Sequence, residues 1–153
     1  MIVIADTNIF YSALITPTRT IAKILDERKK IQYFIPDYLI GEVKEHLPDI
    51  QRYLEKFRQV KKSKQQLMAE FALLLEGITI IPISKIKKEY VNKALGIVKD
   101  IDEKDYPFIA LHFEIKHKIW TVDERLIKGL TEKGYKHIFI TTEEMKAKTY
   151  KKN

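Results

Sequence analysis

The sequence predicts an α/β domain with a mainly parallel sheet covered by helices on both faces. Apolar runs of strand length recur at Ile2–Ala5, Gln32–Ile35, Ile78–Ile81, Lys118–Val122 and His137–Thr141. Between them, apolar residues repeat at helical rather than alternating spacing. Strands separated by helices need crossovers instead of hairpins, so neighbours run parallel and the helices lie on the sheet faces. The third observation concerns charge. Acids stand where strands end or helices begin: Asp6 after the first run, Asp123 after the fourth, and Asp102 and Asp105 at the front of Asp105–Lys116. Strand C-termini share one edge of a parallel sheet, so acids remote in sequence can meet there.

The elements follow in order. Met1–Ala5 stops at Asp6, and Ile21, Ile24, Leu25 and Arg28 then keep helical spacing. After the second strand, a helix near Asp37–Leu47 carries Leu39, Ile40, Val43 and Leu47 as its apolar stripe. From Val43 to Leu75 helices succeed one another without a strand, a helical insertion (43–75) expected to arch over the sheet edge. Pro48 should break it near the front, and Lys61-Lys62-Ser63 reads as a turn with Ser63 as N-cap. Leu67, Phe71, Leu74 and Leu75 form the next helical stripe, with Gly77 where a C-capping glycine belongs. Ile86, Tyr90, Ala94 and Ile97 mark another helix, and Gly134 should end the one beginning near Asp123.

No repeat, low-complexity tract or long linker divides the 153 residues, so residues 1–145 read as one domain, with a basic tail, 146–153, expected to fray. A hydrophobic content of 45% fits a folded chain. The 28 Lys and Arg outnumber 21 Asp and Glu, for a net charge of +7. If the acids gather in one pocket, the remaining surface is more basic still, which suits a polyanion such as nucleic acid. A Lys-rich solubilising surface is the plainer account. The absence of cysteine excludes disulfides, thiolate catalysis and Cys-ligated metal sites. No apolar run reaches membrane-spanning length, and Asp6 interrupts an N-terminus lacking a basic region, so a cytoplasmic protein with no membrane partner is expected.

Each acid alone has an ordinary explanation as a helix cap, Asp102 above all, since it could cap while Asp105 occupies the first turn. Jointly they point to a cation, because several carboxylates in one place repel each other unless a cation holds them. At about 100° per residue, Glu42 falls at the edge of its helix's apolar stripe and Glu45 nearly opposite, so Glu42 is the better candidate to face a cleft beside the core. Oxygen-only ligands favour Mg²⁺ or Mn²⁺. His46, His112, His117 and His137 form no familiar zinc spacing and read as packing or surface residues. Thr7, Asn8 and Thr121 flank the acids and could orient ligands, although capping accounts for them equally well.

The ordered set Asp6-Thr-Asn-Ile-Phe, Glu42 on a following helix, Asp105-Tyr-Pro-Phe-Ile-Ala-Leu and Ile119-Trp-Thr-Val-Asp123 resembles the PIN-domain family. The likeness is greatest to the prokaryotic branch of VapC-type toxin ribonucleases and spans essentially the whole chain. It implies a three-layer α/β/α domain with a five-stranded parallel sheet in order 3-2-1-4-5. It further implies Mg²⁺- or Mn²⁺-dependent endonucleolytic cleavage of RNA, with Asp6, Glu42, Asp105 and Asp123 in the family's acidic positions as metal ligands and catalytic residues. Asp102 is an extra acid, and Thr121 matches the polar position before the last aspartate. Members of this branch pair with an antitoxin protein and form homodimers, partners that the resemblance raises for this chain.

For the RNA itself, Arg52, Lys56, Arg58, Lys61, Lys62 and Lys64 place six basic residues within the insertion, either a phosphate-binding patch or a solvated helix face. The rival readings are weaker. A phospho-receiver domain would need an aspartate after the third strand, where Pro82 stands; a haloacid-dehalogenase-like phosphatase would need one at Asn8; and a dinucleotide-binding fold would need a Gly-x-Gly-x-x-Gly that is absent. The serious alternative is a PIN-like domain that binds RNA or a protein without nuclease activity.

Overall fold

In the computed structural model, which describes residues 1–150, the strands are β1 (Ile2–Ala5), β2 (Gln32–Pro36), β3 (Thr79–Ile81), β4 (Ile119–Trp120) and β5 (Phe139–Ile140). They form one parallel sheet in the order β3-β2-β1-β4-β5. Its helices are α1 (Thr7–Ile15), α2 (Thr20–Asp26), α3 (Tyr38–Arg58), α4 (Lys64–Leu75), α5 (Lys88–Val98), α6 (Tyr106–Ile115), α7 (Glu124–Glu132) and α8 (Thr142–Thr149). Parallel crossovers are right-handed. The chain steps one way through β1, β2 and β3, then reverses to reach β4 and β5, so the two sets of crossover helices cover opposite faces. Packing agrees: α1 touches α2, α3 and α4, whereas α5 packs on α6, which lies against β1, β2 and β4. The loops leaving the neighbours β1 and β4 therefore part to opposite sides and leave a crevice at the strand C-termini.

The core explains why short strands suffice. Val3, Ile4, Ala5, Tyr33, Ile35, Ile119 and Trp120 are buried in the sheet. Trp120 stacks on Tyr33 at 6.0 Å between ring centres and donates its indole N–H to Thr142 Oγ1 at 3.0 Å. Phe10 of α1 meets Phe71 of α4 edge to face, which locks the first helical layer. Ser63 caps α4 in a reciprocal box with Gln66, and Gly77 and Gly134 sit at φ +76° and +88° just past α4 and α7. Those are left-handed positions that glycine fills without strain. Among the described residues, no helix is long and apolar enough to cross a membrane.

Four expectations change. Pro48 does not break the chain, because α3 runs through it for 21 residues. The buried stripe Leu39, Val43, Leu47, Ile50 and Leu54 holds both halves to one surface, outweighing the lost N–H. Residues 43–75 do not arch over the edge; α3 and α4 are the β2–β3 crossover and pack beside α1. Arg28 lies beyond α2, where its guanidinium donates to the carbonyls of Leu74 and Glu76 at the end of α4. Finally, the basic end is helical as far as Thr149. Thr141 and Glu144 form a capping box, and the buried Thr149 donates to the Met145 carbonyl at 2.8 Å. Residues 151–153 of the expected tail lie outside the described residues.

Candidate metal centre

The crevice is built around Asp6. Its backbone N–H extends the sheet by donating to the Trp120 carbonyl at 3.0 Å, which fixes Asp6 beside Thr121. The side chain is 4% exposed, with Oδ1 accepting from Thr7 N–H at 2.8 Å and Oδ2 from Thr121 Oγ1 at 2.7 Å. Thr121 also accepts from the Asp123 N–H at 3.0 Å and from Asn8 Nδ2 at 3.1 Å. Asn8 Oδ1 accepts from Val122 N–H at 3.3 Å. On the other side, Thr7 donates its hydroxyl to Glu42. Thr7, Asn8 and Thr121 thus tie Glu42, Asp6 and Asp123 into one hydrogen-bonded chain.

Capping and site membership coexist here. Asp123 Oδ1 caps α7 through Leu126 N–H at 3.1 Å. The exposed Asp102 caps the short 3₁₀ turn Glu103–Asp105 through Lys104 N–H. Asp105 caps nothing, although it starts α6, and its Oδ2 is enclosed without any hydrogen-bond partner. Burial, reinforced by Asp6, Asp102, Asp123 and Glu42, pushes the Asp105 carboxyl up to about 8. Burial likewise raises Asp6 to about 6, with the bonds from Thr121 and Thr7 opposing, and raises Glu42.

These observations test whether a hard cation fits. The donors are all carboxylate and hydroxyl oxygens, one buried oxygen lacks any partner, and the acids destabilise one another's charge. A divalent cation answers all three conditions. Among the described residues no three acidic or histidine side chains stand together as a finished metal cage. Each acid except Asp105 is held by a hydroxyl or an amide, which spaces the like charges.

A separate clasp fixes the segment carrying Asp105. A side-chain carbon placed on Gly129 of α7 would lie 2.5 Å from Ile101 Cδ1, so the two elements touch only because this residue is glycine. Nearby, Lys133 donates to the Ile97 carbonyl at 2.6 Å and pairs with Asp100.

The basic patch divides. Arg52 pairs with Asp49, Lys61 with Glu55 at 3.8 Å, and the less exposed Lys62 with Glu70 at 2.5 Å. Lys56 lies over the Phe57 ring, and Lys64 begins α4. Arg58 instead lines a cleft of about 400 Å³ with Arg19, Lys146 and the hydroxyl residues Ser12, Thr16 and Thr142, where three basic side chains outnumber the single acid, Glu143. Sequence spacing concealed that grouping, which draws on α1, α3, α8 and the turn between α1 and α2. It also misplaced Glu45, which lines the same cleft as Glu42 because that cleft opens toward α6 and not toward the core stripe. Of the histidines, His112 bonds through Nδ1 to the His117 carbonyl at 2.7 Å, just past the end of α6.

A PIN domain family model matches residues 4–149. The chain belongs to the PIN domain family. Its fold is also similar to a chain in the structure of VapBC2 from Rickettsia felis bound to a DNA fragment from their promoter. That match has a TM-score of 0.65 at 17% identity and covers 86% of this chain and 92% of the other. No curated protein matches this PIN-domain chain.

Proposed function

We propose that this PIN-domain protein is a divalent-metal-dependent endoribonuclease, acting as the toxin of a toxin–antitoxin pair. The observation that carries the reading is the half-buried Asp105 carboxyl, one oxygen of which is enclosed and unpartnered, among Asp6, Glu42 and Asp123 at the sheet's switch point. Asp6, Asp105 and Asp123 would hold Mg²⁺ or Mn²⁺, with Glu42 contributing directly or through water. A cation bound there supplies Lewis-acid stabilisation of phosphoryl charge and a more acidic water.

The chain's own residues do the rest. Thr7 orients Glu42, Thr121 orients Asp6 and anchors the backbone of Asp123, and Asn8 holds Thr121 in place. Such supporting bonds set the direction of ligand lone pairs. Neither a serine nor a histidine stands in this network as a nucleophile or base, so the carboxylates carry the chemistry. RNA phosphates would contact the Arg19–Arg58–Lys146 cleft and the exposed Lys61 and Lys64. The antitoxin belongs to the same reading, supported by the VapBC2 likeness, while the homodimer rests on the sequence resemblance alone.

The direct test is cleavage of single-stranded RNA by purified protein, with chelator and then with Mg²⁺ or Mn²⁺ restored. Metal-restored cleavage lost in Asp105→Asn is expected. Cleavage indifferent to chelation, or unaffected by that substitution, overturns the reading; RNA binding without any cleavage would favour the non-cutting alternative.

A further inference from the structure

We propose that the cleft between α3 and the start of α6, opened by Gly41, receives an amino-bearing nucleobase of single-stranded RNA next to the phosphate held at the acids. The cleft measures about 470 Å³ and is lined by Tyr38, Gly41, Glu42 and Glu45 of α3, facing Tyr106 and Ile83. On α3 these positions recur at i, i+3, i+4 and i+7, which gives one helix face.

Gly41 is the telling residue. It lies inside a helix, where glycine is less stable than alanine, and its backbone is not in the left-handed region that favours glycine. A side-chain carbon built there meets nothing within 4 Å, so packing does not demand glycine either. Its effect is to leave the cleft open.

The lining selects the guest. Among the described residues, every charged side chain lining this cleft is a carboxylate, from Asp37, Glu42 and Glu45, which repels a phosphate. Carboxylates accept N–H groups, and the half-buried Tyr38 and Tyr106 offer flat apolar rings. A base with an exocyclic amine satisfies both. Glu42 borders this cleft and also joins the acidic network through Thr7, so a base seated here belongs to a nucleotide adjoining the phosphate at the acids.

The proposal rests on the nuclease reading for its substrate, so its test is binding. Fluorescence anisotropy would compare short labelled RNAs on Asp105→Asn protein with and without Gly41→Leu or Gly41→Ala. Leucine should weaken binding at least about tenfold, or about 1.4 kcal/mol. Alanine should weaken it less, and both should raise the melting temperature. Oligouridine should bind the parent less tightly than adenine- or cytosine-containing RNA, a preference that leucine erases. Binding within about twofold of the parent, or a base preference surviving Gly41→Leu, overturns the cleft assignment whether or not the wild type cuts RNA. Gly41-dependent binding by a wild type that never cleaves overturns the nuclease reading alone. Wild-type protein that binds no RNA with Mg²⁺ present overturns both.

Discussion

Replacing Asp105 with Asn should stabilise the metal-free protein at mildly alkaline pH while removing its activity. The Asp105 carboxyl is pushed up to about 8, by burial first and by four neighbouring acids second. In an unfolded chain it would ionise near 3.9. Between those values the folded protein keeps a proton that the unfolded chain has released, so stability is full below the lower value and is lost as pH rises through the higher. One such proton is worth about 1.4 kcal/mol per pH unit, or about 4 kcal/mol between roughly pH 5 and 8. Asp105 is only partly enclosed, and screening by solvent reduces this to about 2 kcal/mol. For a domain of this size that corresponds to about 4–8 °C in melting temperature. Asn cannot ionise, so the variant should keep only the smaller declines from Asp6, raised to about 6, and from Glu42, which burial also raises. Thermal melts in chelator across this pH range measure both proteins. A wild-type midpoint that stays level or rises toward pH 8 would refute the reasoning, as would a variant that falls as steeply.

Other outcomes can be set beside this one. Binding of Mg²⁺ or Mn²⁺ should release protons and tighten as pH rises toward about 8, because a ligating carboxyl must first deprotonate; calorimetry in buffers of different ionisation enthalpy reads the proton count, and equal heats in all buffers would contradict it. Thr121→Val removes the donor to Asp6 and the acceptor for Asp123, and should lower metal affinity or RNA cleavage about 10–100-fold while costing about 1–3 kcal/mol in stability. Arg58→Glu and Lys61→Glu with Lys64→Glu should each weaken RNA binding and flatten its salt dependence. Lys62→Glu should instead destabilise the fold, since it would face Glu70; chemical denaturation separates the two effects. Gly129→Ala should displace Ile101 and cost about 1–3 kcal/mol, with a fall in activity that restored folding in stabilising osmolyte does not fully recover.

The strands were legible because short apolar runs between helical stripes leave few alternatives, and their observed cores, such as Ile2–Ala5, lie within the expected runs. Helix ends were legible where chemistry is local: Ser63, Gly77 and Gly134 each serve as read. Pro48 misled because a local rule was applied where tertiary burial decides. Helix α8 was hidden behind its lysines, although Thr141 and Glu144 carried the capping-box spacing. For the site, strand ends placed Asp6, and the boundary position placed Glu42 beside it. Glu45 and the Arg19–Arg58–Lys146 cleft escaped because they depend on which helices face each other, and a one-dimensional periodicity does not encode that.

Helix α7 carries Asp123 at its start and, farther along, grips the segment before Asp105 through Gly129 and Lys133. One helix therefore holds both the backbone at Asp123 and the segment that leads to Asp105, much as a hinge pin passes through two leaves. Tilting it would change the spacing of Asp105 and Asp123 together. The solvent-facing side of that helix, remote from the carboxylates themselves, thus offers a handle on the width of the site.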